Sequence, residues 1–254
     1  MLHRSLLLAL LFALAAPNLS AQTALGGVRN LDPGLFVHFG YGPHFPVGQL
    51  SDRFGTMFGI EMALDYSPGE GSPWFFGPEG QYLFGNTVFE DVLRNLRTTD
   101  GFVVGSDRSP ADVQLRMRGY YAGVRALRII RIGEQKRSGI RVSLGLGYLR
   151  HRIRLQPDAA QGVFQISDDY EAGYDRLTAG PAIHPFLGYQ HLAASGKLNI
   201  YIGAESLIGF TTNLRDFDFA LERRLDENRT DMTVGFRAGL ILPFYIGDGE
   251  DRYY

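Results

Sequence analysis

Apolar residues recur at every second position in eight separate stretches of this chain. A period of two marks a β-strand, whose successive side chains point to opposite faces. In GLFVHFGYG, Leu35, Val37, Phe39 and Tyr41 oppose Phe36, His38, Gly40 and Gly42. FGTMFGIEMALDY sets Phe54, Phe58, Ile60, Met62, Leu64 and Tyr66 against Gly55, Gly59, Glu61 and Asp65. In WFFGPEGQYLF, Trp74, Phe76, Tyr82 and Phe84 oppose Gly77, Glu79 and Gln81. A weaker fourth stretch places Tyr120, Ala122, Val124 and Ala126 opposite Tyr121, Gly123 and Arg125. GIRVSLGLGY opposes Ile140, Val142, Leu144, Leu146 and Tyr148 to Arg141, Ser143, Gly145 and Gly147. The sixth, Leu177 to Tyr189, has Leu177, Ala179, Ile183 and Leu187 against Thr178, Gly180, His184 and Gly188, with Pro181 and Pro185 awkwardly on its apolar side. Leu198, Ile200, Ile202, Ala204, Ile208 and Phe210 then face away from Asn199, Tyr201, Gly203, Glu205 and Gly209. In the last stretch, MTVGFRAGLILPFY, Arg237 shares the minor face with Thr233, Gly235 and Gly239.

The minor face decides what kind of sheet this is. The outer face of a soluble sandwich would be rich in lysine, glutamate and threonine, whereas here it is rich in glycine with isolated charges. That suits the inside of a narrow barrel, where small residues make room for a few large polar ones. Tyr41, Tyr66, Trp74, Phe84, Tyr120, Tyr148, Tyr189, Phe210 and Phe244 lie near strand ends on the apolar side, the place of an interfacial aromatic girdle. The links between strands alternate: SPGEGS, RIGEQKRS and HLAASGK are short, and the links between them are longer. Outer-membrane barrels show this alternation of short periplasmic turns and longer extracellular loops. The pattern predicts an all-β fold, an eight-stranded antiparallel up-and-down transmembrane β-barrel over 34–245.

Composition agrees. The chain has 254 residues, 32 glycines, no cysteine and a formal charge of -2. Without cysteine there is no disulfide framework, thiolate metal site or cysteine nucleophile. No run of lysine and arginine suggests a nucleic-acid groove. The N-terminus begins with His3 and Arg4, continues with an apolar run from Leu6 to Ala16, and exits through Ser20 and Ala21. This has the form of a signal peptide over 1–21, directing export to the periplasm. Residues 22–33 and 246–254 are then expected as periplasmic segments flanking the barrel.

The leader ending in SAQ, the eight alternating strands and the final strand closing on LPFY resemble the small outer-membrane β-barrels of the OmpA type, and in detail those of Bacteroidota. The resemblance covers almost the whole mature chain and rests on architecture. It implies a place in the outer membrane of a Gram-negative cell envelope and insertion by the barrel-assembly machinery. Surrounding outer-membrane lipid and lipopolysaccharide would be the contacts, with no cofactor.

Strand parity places Glu61, Glu79, Arg125, Arg141, Glu205 and Arg237 in the lumen as a charge network. Arg237 is expected to pair with Glu205 on the neighbouring strand or with a glutamate across the lumen. An eight-stranded barrel is just wide enough for side chains to fill, which argues against a wide pore. His38, His44, His151 and His184 share the luminal parity, but their spacing is not that of a local metal motif. No metal site is assigned, and these histidines read as polar filling. Ser143 and His151 stand ~26 Å apart along an extended strand, too far to act together, so no enzymatic activity is expected.

In the second outer loop, TVFEDVLRNL pairs Thr87 with Glu90 as a capping box. Val88, Phe89, Val92, Leu93 and Leu96 follow at helical spacing. A short amphipathic helix is expected there, with Phe89, Val92, Leu93 and Leu96 available to dock on the rim or on a partner protein. SDDYEAGYD in the third loop clusters Asp168, Asp169, Glu171 and Asp175, read as a solvated acidic loop. The function expected is structural, or interaction through the outer loops, including as an accessory subunit of a secretion or envelope-assembly complex. A narrow channel for small solutes and a lipid-modifying enzyme are the alternatives.

Overall fold

Outward positions that are mostly apolar and inward positions that are mostly small or polar across the middle of the strands leave a sheet one stable arrangement in hydrocarbon: closure on itself, so that no strand edge is left unpaired. The computed structural model describes residues 33–69, 72–132, 137–158, 162–192, 199–225 and 227–246. The expected signal peptide, all but Pro33 and Ile246 of the two flanking segments, and Leu198 lie outside these residues.

Strands β1 (Gly34–Val47), β2 (Met57–Ser67) and β3 (Trp74–Gly85) are followed by a two-residue ribbon, β4 (Val103–Val104) with β5 (Pro110–Ala111). Then come β6 (Val113–Arg131), β7 (Gly139–Pro157), β8 (Thr178–Leu192), β9 (Asn199–Asn213) and β10 (Asn228–Tyr245). The ribbon belongs to a loop. The other eight strands form a closed barrel in the order β1-β10-β9-β8-β7-β6-β3-β2. Every neighbouring pair is antiparallel, and β1 closes the ring against β10 from Gly34–Tyr245 to Val47–Met232. Both ends of the barrel chain therefore lie on the side of the short links.

The prolines are accommodated by local breaks, because proline has no N–H for the ladder. Pairing of β1 with β10 skips from Tyr41–Ala238 to His44–Gly235 around Pro43. That of β2 with β3 skips from Ala63–Glu79 to Tyr66–Phe76 around Pro78. On β8 two such breaks against β9 occur, at Pro181 and at Pro185. Three of these prolines follow a glycine, Gly42, Gly77 or Gly180, and a Cβ there would overlap a carbonyl of the facing strand.

Side chains fill the barrel in three layers. At the short-link end Phe36, Phe75, Leu127, Ile129, Phe186 and Ile241 form an apolar plug. The Arg137 guanidinium covers it, 5.1 Å from the Phe36 ring, 5.7 Å from Phe75 and 5.8 Å from Tyr245. At the long-loop end a larger cluster joins barrel residues such as Met57, Leu83, Met117, Leu149 and Leu207 to loop residues such as Phe54, Val92, Leu93, Ile166 and Ala220. Charged and polar groups occupy the layer between.

Three expectations on the loop side change. Phe54 precedes β2 and is buried under the loops, bridged to Val88, instead of facing outward with the strand. Thr87 to Leu96 forms no α-helix: a single 3₁₀ turn covers Arg94–Leu96, Val92 and Leu93 are fully buried, and Phe89 is exposed. The apolar residues of that segment are thus mostly spent on the cap itself. Finally, β6 and β7 run well past Tyr120 and Tyr148. There the polarity of the faces inverts: Met117, Ile153 and Leu155 are buried inside while Arg116, Arg118, Arg150, Arg152 and Arg154 point outward. Outward positions beyond the apolar belt meet water and no longer need to be apolar.

Candidate functional site

The middle layer is a continuous network of buried charges contributed by all eight barrel strands. Strand β2 presents Glu61 and Asp65, two turns of the pleat apart on one face, and β6 presents Arg125 to both. Arg125 grips Asp65 with two parallel bonds of 3.1 and 2.7 Å, reaches Glu61 at 2.5 Å and lies 3.5 Å from Glu79. Arg237 on β10 bridges Glu205 of the adjacent β9 and Glu61 of β2. It passes over Gly40, where any Cβ would overlap the Tyr201 hydroxyl and crowd the Arg237 side chain. Tyr201 donates to Glu61 at 2.5 Å and Tyr121 to Glu79 at 2.9 Å. Gly145 leaves the space that Glu79 occupies.

His184 lies between two carboxylates, 3.1 Å from Glu79 through Nδ1 and 2.8 Å from Glu205 through Nε2. The Arg237 guanidinium approaches the same Nε2 at 2.8 Å. His44 contacts the other oxygen of Glu205 at 3.1 Å and Gln81 at 2.9 Å, and His38 approaches Asp65 at 3.0 Å.

Arg141 departs from the expected salt-bridge role. It is buried, but among the described residues it makes no ion pair; it hydrogen-bonds His38 and Gln190 and stacks 4.3 Å over the Tyr201 ring. Glu61, Glu79, Arg125, Glu205 and Arg237 meet in one cluster, together with Asp65, Tyr121, Tyr201, His38, His44 and His184. Parity already assigned Asp65, the histidines and both tyrosines to the lumen; that the tyrosines donate to the glutamates was not legible in it. His151 lies apart, near the loop end, where it bonds Asp231 at 2.8 Å and Asp231 accepts from Thr211 at 2.5 Å. Ser143 faces inward between Leu127 and Phe186 with no described catalytic partner. Among the described residues no group of three or more His, Asp or Glu is arranged to hold a metal.

Above the lumen one chain of ion pairs ties the four long loops together. Arg53 of the first loop meets Glu90 of the second at 2.8 Å. Arg176 of the third meets the same Glu90 at 3.1 Å and Asp218 of the fourth at 2.9 Å. Burial pulls the pKa of the Arg53 guanidinium below its usual range, opposed by Glu90, while the hydrogen bonds Arg215 donates to Asp175 raise its own. Backbone bonds from Phe89 to Arg53, Ser106 to Gly162 and Phe219 to Gly173 stitch the same loops. Glu90→Gln leaves two buried guanidinia facing a neutral amide. Trypsin should then cut within 86–112 about tenfold faster, the effect of ~1.4 kcal/mol on local opening. Unchanged cleavage would mean that the clasp does not hold the cap.

The outer surface of the barrel is as regular as the lumen. Tyr41 stacks on Phe58 at 5.6 Å, Phe58 meets Phe84, Phe84 meets Tyr82 and Tyr82 meets Tyr120 at 4.9 Å, a run of rings across four strands. Tyr148 and Phe210 are exposed toward the same end; Tyr66, Trp74, Tyr189 and Phe244 are exposed toward the other. Between them Met62, Val124, Leu146, Leu187, Ile202 and Phe236 face outward, each more than half exposed.

No protein-family model matches this chain, and no curated protein does. Solved structures do. Neisserial surface protein A is 9% identical, with 83% of this chain and 97% of that one covered, at a TM-score of 0.46. Ail, the attachment invasion locus protein of Yersinia pestis, is 11% identical over 84% of this chain and 99% of that one. Its TM-score is 0.39 in complex with the heparin analogue sucrose octasulfate and 0.36 in a second structure. The eight-strand ring described above is read from the strand pairing of this chain itself.

Proposed function

We propose that this chain is an outer-membrane β-barrel whose lumen is closed by its own side chains and which acts structurally or by interaction through its clasped loops. The observation that carries this reading is the inversion of the usual surface. Large apolar side chains form an exposed belt around the cylinder, while arginines, glutamates and histidines are buried inside it. A soluble monomer rarely exposes an apolar patch of more than a few hundred Å², and lipid chains solvate such a belt without penalty. In the usual orientation the short links face the periplasm and the long loops the outside. Outer-membrane lipid and lipopolysaccharide surround the belt, the barrel-assembly machinery inserts the chain, and the loop cap is the surface offered to a protein partner.

The purified mature chain should fold only with detergent or lipid; a polypeptide that stays folded in plain buffer would end this reading. The filled layers also predict the behaviour of the lumen. In planar bilayers no steady conductance is expected, and reproducible unitary openings would favour the narrow channel instead. Affinity capture after gentle detergent extraction separates an accessory subunit from a free-standing barrel.

A further inference from the structure

The groove on the outside of the β6–β7 pair has a chemistry that the closed lumen and the loop cap do not use. Tyr82, Tyr120, Arg118, Arg150, Arg152 and Arg154 are among the residues that line it, around a volume of about 310 Å³. The strand register puts like charges directly opposite one another: Arg116 faces Arg154 and Arg118 faces Arg152, while Tyr120 faces Arg150. Directly opposed like charges repel, and an anion between them turns that repulsion into attraction. Among the described residues, Arg116, Arg118, Arg150 and Arg154 make no ion pair. Arg116 donates to Gln114, Arg118 donates to the carbonyls of Met117 and Gly85, and Arg152 lies 3.5 and 3.6 Å from Glu171 and Asp175.

Position selects among anions. Every outward residue of β7 from Ile140 to Tyr148 is apolar, and that stretch matches the about 9–11 residues with which a tilted strand crosses hydrocarbon. Arg150 is the next outward residue. The guanidinia therefore stand just above the aromatic rim, at the depth of lipid headgroups, and guanidinium forks fit phosphate oxygens. We propose that this groove binds the phosphate-bearing headgroup of a lipid in the leaflet around the long-loop end, with the acyl chains lying against Tyr82, Tyr120 and the belt below. The proposal rests on the membrane reading of the belt, which the detergent requirement tests separately before any lipid is added.

The experiment uses the mature chain in nonionic detergent, with lipid A, a diphosphorylated glucosamine lipid, as probe, and native mass spectrometry to count bound lipid. The triple variant Arg118→Gln, Arg150→Gln, Arg154→Gln should bind that lipid at least about tenfold more weakly. The control Arg128→Gln, Arg131→Gln, at the short-link end of the same pair, should bind as the parent does. Dephosphorylated lipid should bind the parent weakly, and inorganic phosphate at millimolar concentration should not displace the lipid. Equal binding by the triple variant and the parent, or equal loss in the control, overturns the proposal. Displacement by inorganic phosphate alone also overturns it, since the groove would then take a free anion. Should the triple variant fail to fold by gel mobility, Arg150→Gln alone carries the test, with a smaller loss expected and no loss refuting it.

Discussion

Arg237→Met should destabilise the folded barrel in detergent by about 3–5 kcal/mol, the range for removing one partner from a buried ion pair. The guanidinium is almost wholly buried and joins Glu61 to Glu205 across β1, so its loss leaves two carboxylates facing each other without the cation between them. Methionine fills most of the volume, so the effect reads charge and not a cavity. A second substitution, Glu205→Gln in the Arg237→Met background, should recover part of the loss, because one of the two carboxylates that Arg237 joined is then neutral. The two changes should therefore be strongly non-additive, as expected for members of one network. Folded fraction on a gel without boiling, followed against urea or temperature, gives both numbers. A midpoint that does not move in Arg237→Met would show that the buried cation does not hold the strands in place.

Why Arg237 sits in a run of small and apolar residues could be read from the sequence, as could Glu205 or a glutamate across the lumen as its partner; that it meets both, and that the second is Glu61, could not. Parity alone sends a side chain to one face of a strand, and lipid sharpens it by disfavouring polar groups at outward positions within the hydrocarbon. The eight strands, their alternation and the inward set of charges were legible for that reason. Partner choice depends on how far the barrel staggers and on which glycines leave space, as Gly40 does for Arg237 and Gly145 for Glu79. Neither follows from a period of two. Arg141 shows the limit: its parity is luminal, yet its environment is Tyr201 and His38 and not a carboxylate.

The loops failed for a different reason. Thr87 to Leu96 has helical spacing, but an isolated helix of that length is marginal in water, and tertiary contacts outbid it. Glu90 caps nothing because Arg53 and Arg176 both claim it, and Val88 is bridged to Phe54. The extension of β6 and β7, by contrast, left a trace in the sequence. After Tyr148 the alternation continues with its faces exchanged, Leu149, His151, Ile153 and Leu155 against Arg150, Arg152 and Arg154. A change from apolar-out to charge-out along one strand marks where hydrocarbon ends.

That boundary makes the second large effect position-dependent. Leu144 lies at the middle of the apolar outward run of β7, about half exposed, between Ala126 and Pro185 of its neighbours. On a water-facing sheet, Leu144→Arg would be nearly neutral, within about 0.5 kcal/mol. Against hydrocarbon at mid-depth it should cost about 2–4 kcal/mol, and the same change at Tyr148, next to Arg150, only about 0–1 kcal/mol. Because both residues face outward from one strand, strand propensity and packing are held nearly constant and depth is the variable. Unfolding measured in lipid vesicles for Leu144→Arg, Leu146→Arg and Tyr148→Arg should therefore give a cost that falls toward the loop end. A flat profile would mean that water, and not lipid, solvates the belt, and the burial of arginine in the lumen would then need another cause.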